Sequence, residues 1–284
     1  LDGRLYYYLK AWGENQSFAD SLYADRVDYM TPKETIRQID RFYQDPLMDY
    51  VPVISALIIV HMQAEQAPKR IVDQYIYQTQ LWINNLILDM ESLREKLGLQ
   101  KWILFGGSWG STLALYYAIN YPERCLGLVL RGVFLGTRNE IDWFLCGMRK
   151  FYPEAHKLLL KGLNFSELEQ PTSDEILKRG SELIFSNNEE VSQKAANAWA
   201  KYEMSCSTLD YREREMSGNS ALSLAKIELH YFLNNCFLKD NEILDNVKKI
   251  RNIPIYIIQG RHDTICPPFT ALKLRNKLTN SKLI

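Results

Sequence analysis

The sequence predicts an α/β fold: a mostly parallel sheet flanked by helices, with an all-helical segment inserted late in the chain. Three observations carry that expectation. Short, continuous apolar runs rich in β-branched residues recur at 51–63, 101–105, 125–133 and 253–260, as strands buried on both faces require. Segments with apolar groups at helical spacing separate them. Between about 138 and 246 the strand runs cease and long amphipathic stretches follow one another, before "IPIYIIQG" (253–260) returns to strand character. The chain divides accordingly into a core, 1–137 with 247–284, and a helical insert, 138–246.

Taken in order, "LDGRLYYYLKAW" (1–12) combines aromatics with a turn-forming Asp-Gly and reads as the start of a hairpin. Residues 32–44 follow Pro32 with charges at helical spacing, and a proline suits the first turn of a helix. "VPVISALIIVHMQ" (51–63) is a buried strand. "QLWINNLILDMESLREKL" (80–97) carries the helical pattern and stops at Gly98, where a left-handed residue closes a helix. A strand at 101–105, a glycine-rich turn and a helix at 109–120 come next, the helix halted before Pro122. "CLGLVLRGV" (125–133) is another strand. After the insert and the strand at 253–260, a short helix spans about 268–278 and "SKLI" begins one more strand.

Composition narrows the function. The 284 residues carry 34 basic and 34 acidic side chains, so no overall field recruits nucleic acid or an anionic membrane. The longest apolar run, near Val51–Val60, is too short to span a bilayer. Five cysteines (Cys125, Cys146, Cys206, Cys236, Cys266) are scattered without a CxxC pair, which suits reduced thiols in the cytoplasm. Four histidines show no metal-binding spacing, and neither a metal nor a cofactor is expected.

The chemistry concentrates in "FGGSWGST" (105–112). A G-x-S-x-G between a strand and a helix is a nucleophile elbow. The turn strains the serine, so its neighbours must lack bulk, and here they are Gly106, Gly107, Gly110 and Ser111. Ser108 is then presented above the sheet, and the N–H of Trp109 points to where an oxyanion would develop. The phosphate-cradling patterns GxGxxG and GxxxxGK[ST] are absent.

The stretch "FGGSWGSTLALYYAINYPERCLGLVLRGVFL" resembles the elbow segment of the proline iminopeptidases, which are α/β-hydrolases. The likeness continues through "EIDWF" (140–144), "AWAKYEMSCSTL" (198–209), "AKIELHYFLNNCFL" (225–238) and "IPIYIIQGRHDTICP" (253–267), so it covers roughly residues 80–284. It implies an α/β-hydrolase core with a helical cap over 138–246, and a serine aminopeptidase acting on small peptides with N-terminal proline. Ser108 is the implied nucleophile and Asp263 the implied acid, while Glu203 and Glu228 match cap glutamates that hold the substrate's ammonium group. Trp109, Trp143, Tyr231 and Phe232 would wall a pocket for the proline ring.

Two family features have no match. The His-Gly-Gly-Pro-Gly loop would begin at His61, but no glycine stands between Gly13 and Gly98. The triad histidine belongs in a Gly-His turn after the last strand; none of His61, His156, His230 and His262 stands in one, and His262 reads as a loop residue. An esterase or amidase without amine selectivity, and a member that binds peptides without cleaving them, are therefore the alternative readings.

Overall fold

The computed structural model describes residues 53–54, 83–166, 168–208 and 218–284. The expected elements at 1–12 and 32–44, His61 and most of the 51–63 strand lie outside these residues. Val53–Arg94 and Gln100–Ile284 belong to one compact unit.

Among the described residues five parallel strands form its sheet: β1 (Val53–Ile54), β2 (Trp102–Ser108), β3 (Cys125–Val133), β4 (Ile255–Ile258) and β5 (Ser281–Leu283), side by side in chain order. Helix α1 (Ile83–Lys96) precedes β2. It ends where expected: Gly98, at φ 69°, returns its N–H to Glu95 O at 2.9 Å. Helix α2 (Trp109–Asn120) follows β2 without a break and is buried on every side from Gly110 to Ile119, as its uniformly apolar sequence requires.

The segment after β3 is helical, as the texture of the sequence suggested. It contains α3 (Arg138–Asp142), a π turn (Trp143–Gly147), α4 (Pro153–Gly162), α5 (Ser173–Ile184), α6 (Glu189–Cys206), α7 (Gly218–Leu233) and α8 (Glu242–Asn246). Caps set the starts. The carboxylate of Glu175 accepts from the N–H and hydroxyl of Thr172 at 2.8 Å, and Asn188 Oδ1 accepts from Glu190 N at 3.0 Å. Helix α9 (Pro268–Lys277) then joins β4 to β5.

Burial alternates along β2 and β4. The continuous apolar runs offer side chains to both faces, yet Tyr256 and Ile258 remain 47% and 42% exposed while Ile255 and Ile257 are buried. The difference from the expected fully buried strand follows from the two-residue period: the described helices cover one face more completely than the other.

One polar cluster ties α1 to α2. Arg94, only 4% exposed, donates from Nε to Glu91 Oε1 at 2.8 Å and from Nη2 to Oε2 at 2.8 Å. The Tyr117 hydroxyl also donates to Glu91. The Arg94 hydrogen bond holds the Glu91 carboxyl below the usual carboxylate range, against the opposing effect of burial. Its stabilisation is therefore complete above the unfolded carboxylate pKa and is lost as pH falls through the lower folded value. Glu91→Ala removes the carboxylate that Arg94 Nε and Nη2 both reach and should cost about 3 kcal/mol in urea unfolding at pH 7. The difference from the parent should shrink as pH is lowered below the carboxylate range; a pH-independent difference would show that the charge on Glu91 is not its source.

Candidate active site

Parallel strands end together, so whatever follows β2, β3 and β4 shares one rim of the sheet. Ser108 closes β2 at φ 52°, ψ −124°, a left-handed conformation rarely taken by a residue with a side chain. This is the strain expected of the elbow, typically about 1–3 kcal/mol. It persists because the strand and helix approach too closely for any alternative: a Cβ on Gly106 would lie 2.2 Å from the Gly110 carbonyl oxygen. The Ser111 hydroxyl locks the turn, donating to Ser108 O at 2.7 Å and accepting from Phe134 N at 3.0 Å. Thr112 Oγ1 donates to Phe134 O at 2.7 Å, so the chain leaving β3 is fixed to the elbow. Ser108 is exposed, and Trp109 opens α2, where backbone N–H groups have no partner within the helix.

Asp263 lies beyond β4 on the same rim. Its Oδ1 accepts from Cys266 N at 2.9 Å, and Gln259 Nε2 reaches Oδ2 at 3.4 Å. Gly132, at φ 51° near the end of β3, faces it; a Cβ there would stand 3.3 Å from Oδ2. Cys266 links acid and serine, with its Sγ 3.9 Å from Ser108 Oγ. Burial pushes the Cys266 thiol up, and Asp263, Glu140 and Glu203 push it further against the Ser108 hydrogen bond. It is therefore held as an unreactive thiol at neutral pH.

Glu203 and Glu228 project from α6 and α7, which pack along each other. Glu228 Oε2 accepts from Trp199 Nε1 at 2.8 Å. Tyr231, one turn along α7, stacks on Trp109 with ring centroids 4.1 Å apart, and Phe232 meets Phe134 at 6.4 Å. The helix that carries Glu228 thus packs against the elbow. Trp143 stands apart from that stack, its indole turned to the acid loop. Among the described residues no histidine is hydrogen-bonded to Ser108 or Asp263. His156 meets Leu145 O at 2.9 Å, His230 packs on Tyr231 and Phe237, and His262 is exposed. No group of three or more His, Cys, Asp or Glu among them is placed to hold a metal ion.

The family model of the alpha/beta hydrolase fold matches residues 64–284. The chain belongs to the α/β-hydrolase family. Among curated proteins it is 38% identical over 202 residues to a proline iminopeptidase of Neisseria meningitidis serogroup B, covering 70% of this chain and 64% of that protein. It is 39% identical over 205 residues to a proline iminopeptidase of Arabidopsis thaliana, covering 70% and 53%. A protein provisionally named proline iminopeptidase in Mycoplasma pneumoniae is 35% identical over 243 residues, covering 83% and 76%. The chain therefore spans between about half and two thirds of the length of the first two.

Gln259, Cys266 and Gly132 were not singled out as site residues by the sequence. The signal for Cys266 was present: an aspartate accepting from the N–H three residues on is a common turn device. Gln259 adjoins a strand end and nothing local marks it. At the elbow, Gly106→Ala should cost about 3 kcal/mol or more, because backbone must move to admit the methyl. Gly107→Ala meets nothing closer than Arg131 O at 3.5 Å and should cost about 1 kcal/mol or less. Thermal melts of the pair check this; equal losses would show that the contact with Gly110 does not define the turn.

Proposed function

We propose that the chain is a serine aminopeptidase of proline iminopeptidase type, releasing N-terminal proline from small peptides. The observation that carries this reading is the meeting of the strained Ser108 elbow with the Glu228-bearing helix through the Trp109–Tyr231 stack, with the Glu203-bearing helix packed along it. Similarity to proteins named proline iminopeptidases supports it. Ser108 attacks the peptide carbonyl. The Trp109 N–H stabilises the oxyanion, and Asp263 orients the histidine that acts as base, a residue the reading requires and no described side chain supplies. Glu203 and Glu228 hold the protonated proline nitrogen through charge-assisted hydrogen bonds, and Trp109, Tyr231 and Phe232 enclose the ring, Trp143 having its indole on the Asp263 loop instead. Residues 138–246 act as the cap. The five free cysteines favour a reducing compartment such as the cytoplasm.

The test compares proline anilides with free and acetylated nitrogen. The free amine should react about 100-fold faster, and Glu203→Gln should raise KM for it by about 10- to 100-fold, the worth of one charged hydrogen bond. Equal rates for the two anilides would replace the aminopeptidase reading with an esterase or amidase. A peptide-binding member without catalysis is favoured by one observation, the lack of a histidine on Asp263 among the described residues. A fluorophosphonate probe decides between them: Ser108 labels in a hydrolase, and absence of label leaves binding alone.

A further inference from the structure

The acid loop is held from the helical layer as well as from the sheet. Trp143 Nε1 donates to Thr264 O, the residue after Asp263, at 2.7 Å. Thr264 Oγ1 lies 3.2 Å from Tyr152 Oη and 3.4 Å from Cys206 O, and the Tyr152 proton goes to Thr208 O at 3.1 Å. Cys206 is the last residue of α6, the helix that carries Glu203. On the sheet side the loop rests on Gln259, whose Nε2 donates to Cys266 O at 2.7 Å and whose Oε1 accepts from Val133 N at 3.0 Å.

What aims the indole is unusual. Trp143 opens the π turn Trp143–Gly147, a widening of the helix that is rare and re-aims side chains where it occurs. Gly147 lies against the ring, where a Cβ would stand 2.4 Å from Trp143 Cε3. Bare backbone at 147 is what lets the ring lie flat and its N–H face the loop.

We propose that Trp143 is a positioning residue: its indole N–H, set by the π turn over Gly147, fixes the Thr264 peptide and through it the Asp263 carboxylate. Thr264 completes the tie from its hydroxyl side. The proposal rests on the reading of Asp263 as the acid. One of the loop's anchors, Cys206 O, thus lies in the helix that carries Glu203, so the acid is located relative to the substrate's ammonium group and not only to the sheet.

Amide hydrogen exchange on the whole chain tests the tie without requiring activity. Trp143→Phe keeps an aromatic ring but removes the donor, and Gly147→Ala displaces the ring. Each should speed exchange at the Cys266 amide, which is bonded to Asp263, by about tenfold, with β2 and β3 amides unchanged. Thr264→Val should do the same and Thr264→Ser should not. Unchanged exchange at Cys266 in Trp143→Phe, or acceleration spread evenly through the strands, overturns the proposal. With proline anilide, Trp143→Phe should lower kcat about tenfold with KM within about twofold, because the acid and not the pocket has moved. An unaltered kcat overturns the positioning role even if exchange quickens. If the parent chain hydrolyses no anilide while the exchange pattern holds, the tie stands and the aminopeptidase reading is what fails.

Discussion

The backbone of Ser108 is the constraint from which the site follows. A strand that must turn into a helix within one residue forces a positive φ, and the turn closes only if β2 and α2 touch backbone to backbone. That contact excludes a side chain at Gly106. It also fixes where α2 starts, and hence where the first free N–H groups point. Ser111 passes the constraint on. Its one hydroxyl serves both the Ser108 carbonyl and the Phe134 amide, so the chain leaving β3 cannot shift without reopening the elbow. The loop that begins the helical segment is thus indexed to Ser108.

The helical layer keeps its own register through aromatic packing. Phe144 sits among Tyr202, Phe232 and Trp199, with ring centroids between 5.4 and 6.4 Å, and the Tyr202 hydroxyl donates to Phe144 O at 2.5 Å. Such contacts are apolar and interchangeable in kind but directional in ring geometry. Trp199 adds a polar duty, since its buried N–H is satisfied by Glu228.

Periodicity made the strands, the helices and the helical interlude legible, because burial acts on the spacing of apolar groups and that spacing is written in the sequence. The elbow was legible for a different reason: only small residues tolerate it, so its steric demand appears as glycines at 106, 107 and 110. Asp263, the proposed acid, was legible by its place after a strand and by resemblance. What escaped notice depends on contacts between residues far apart in the chain. Gln259 reaches Val133 and Cys266 across the sheet, and Trp143 reaches Thr264 121 positions away. Nor did the left-handed run Asn235-Cys236-Phe237, at φ 49°, 57° and 55°, carry a glycine to announce it. Its middle residue is fully buried beside Gly136, so tertiary packing overrides the local preference there.

The two oxygens of Asp263 are treated differently, and the asymmetry has chemical meaning. Oδ1 is engaged by a backbone N–H at 2.9 Å, a partner that cannot rotate away, and this anchors the carboxylate in one plane. Among the described residues Oδ2 has the longer approach of the Gln259 amide at 3.4 Å, and it faces Gly132, where the missing side chain leaves space. A carboxylate serving only as a turn cap needs one oxygen, and nothing in that role calls for a glycine opposite the other. An acid that must orient an imidazole needs one oxygen fixed and one left accessible. The anchors at Cys266 and Thr264 supply the fixed half from two sides, sheet and helices, so that the accessible oxygen keeps its direction on the rim where Ser108 stands.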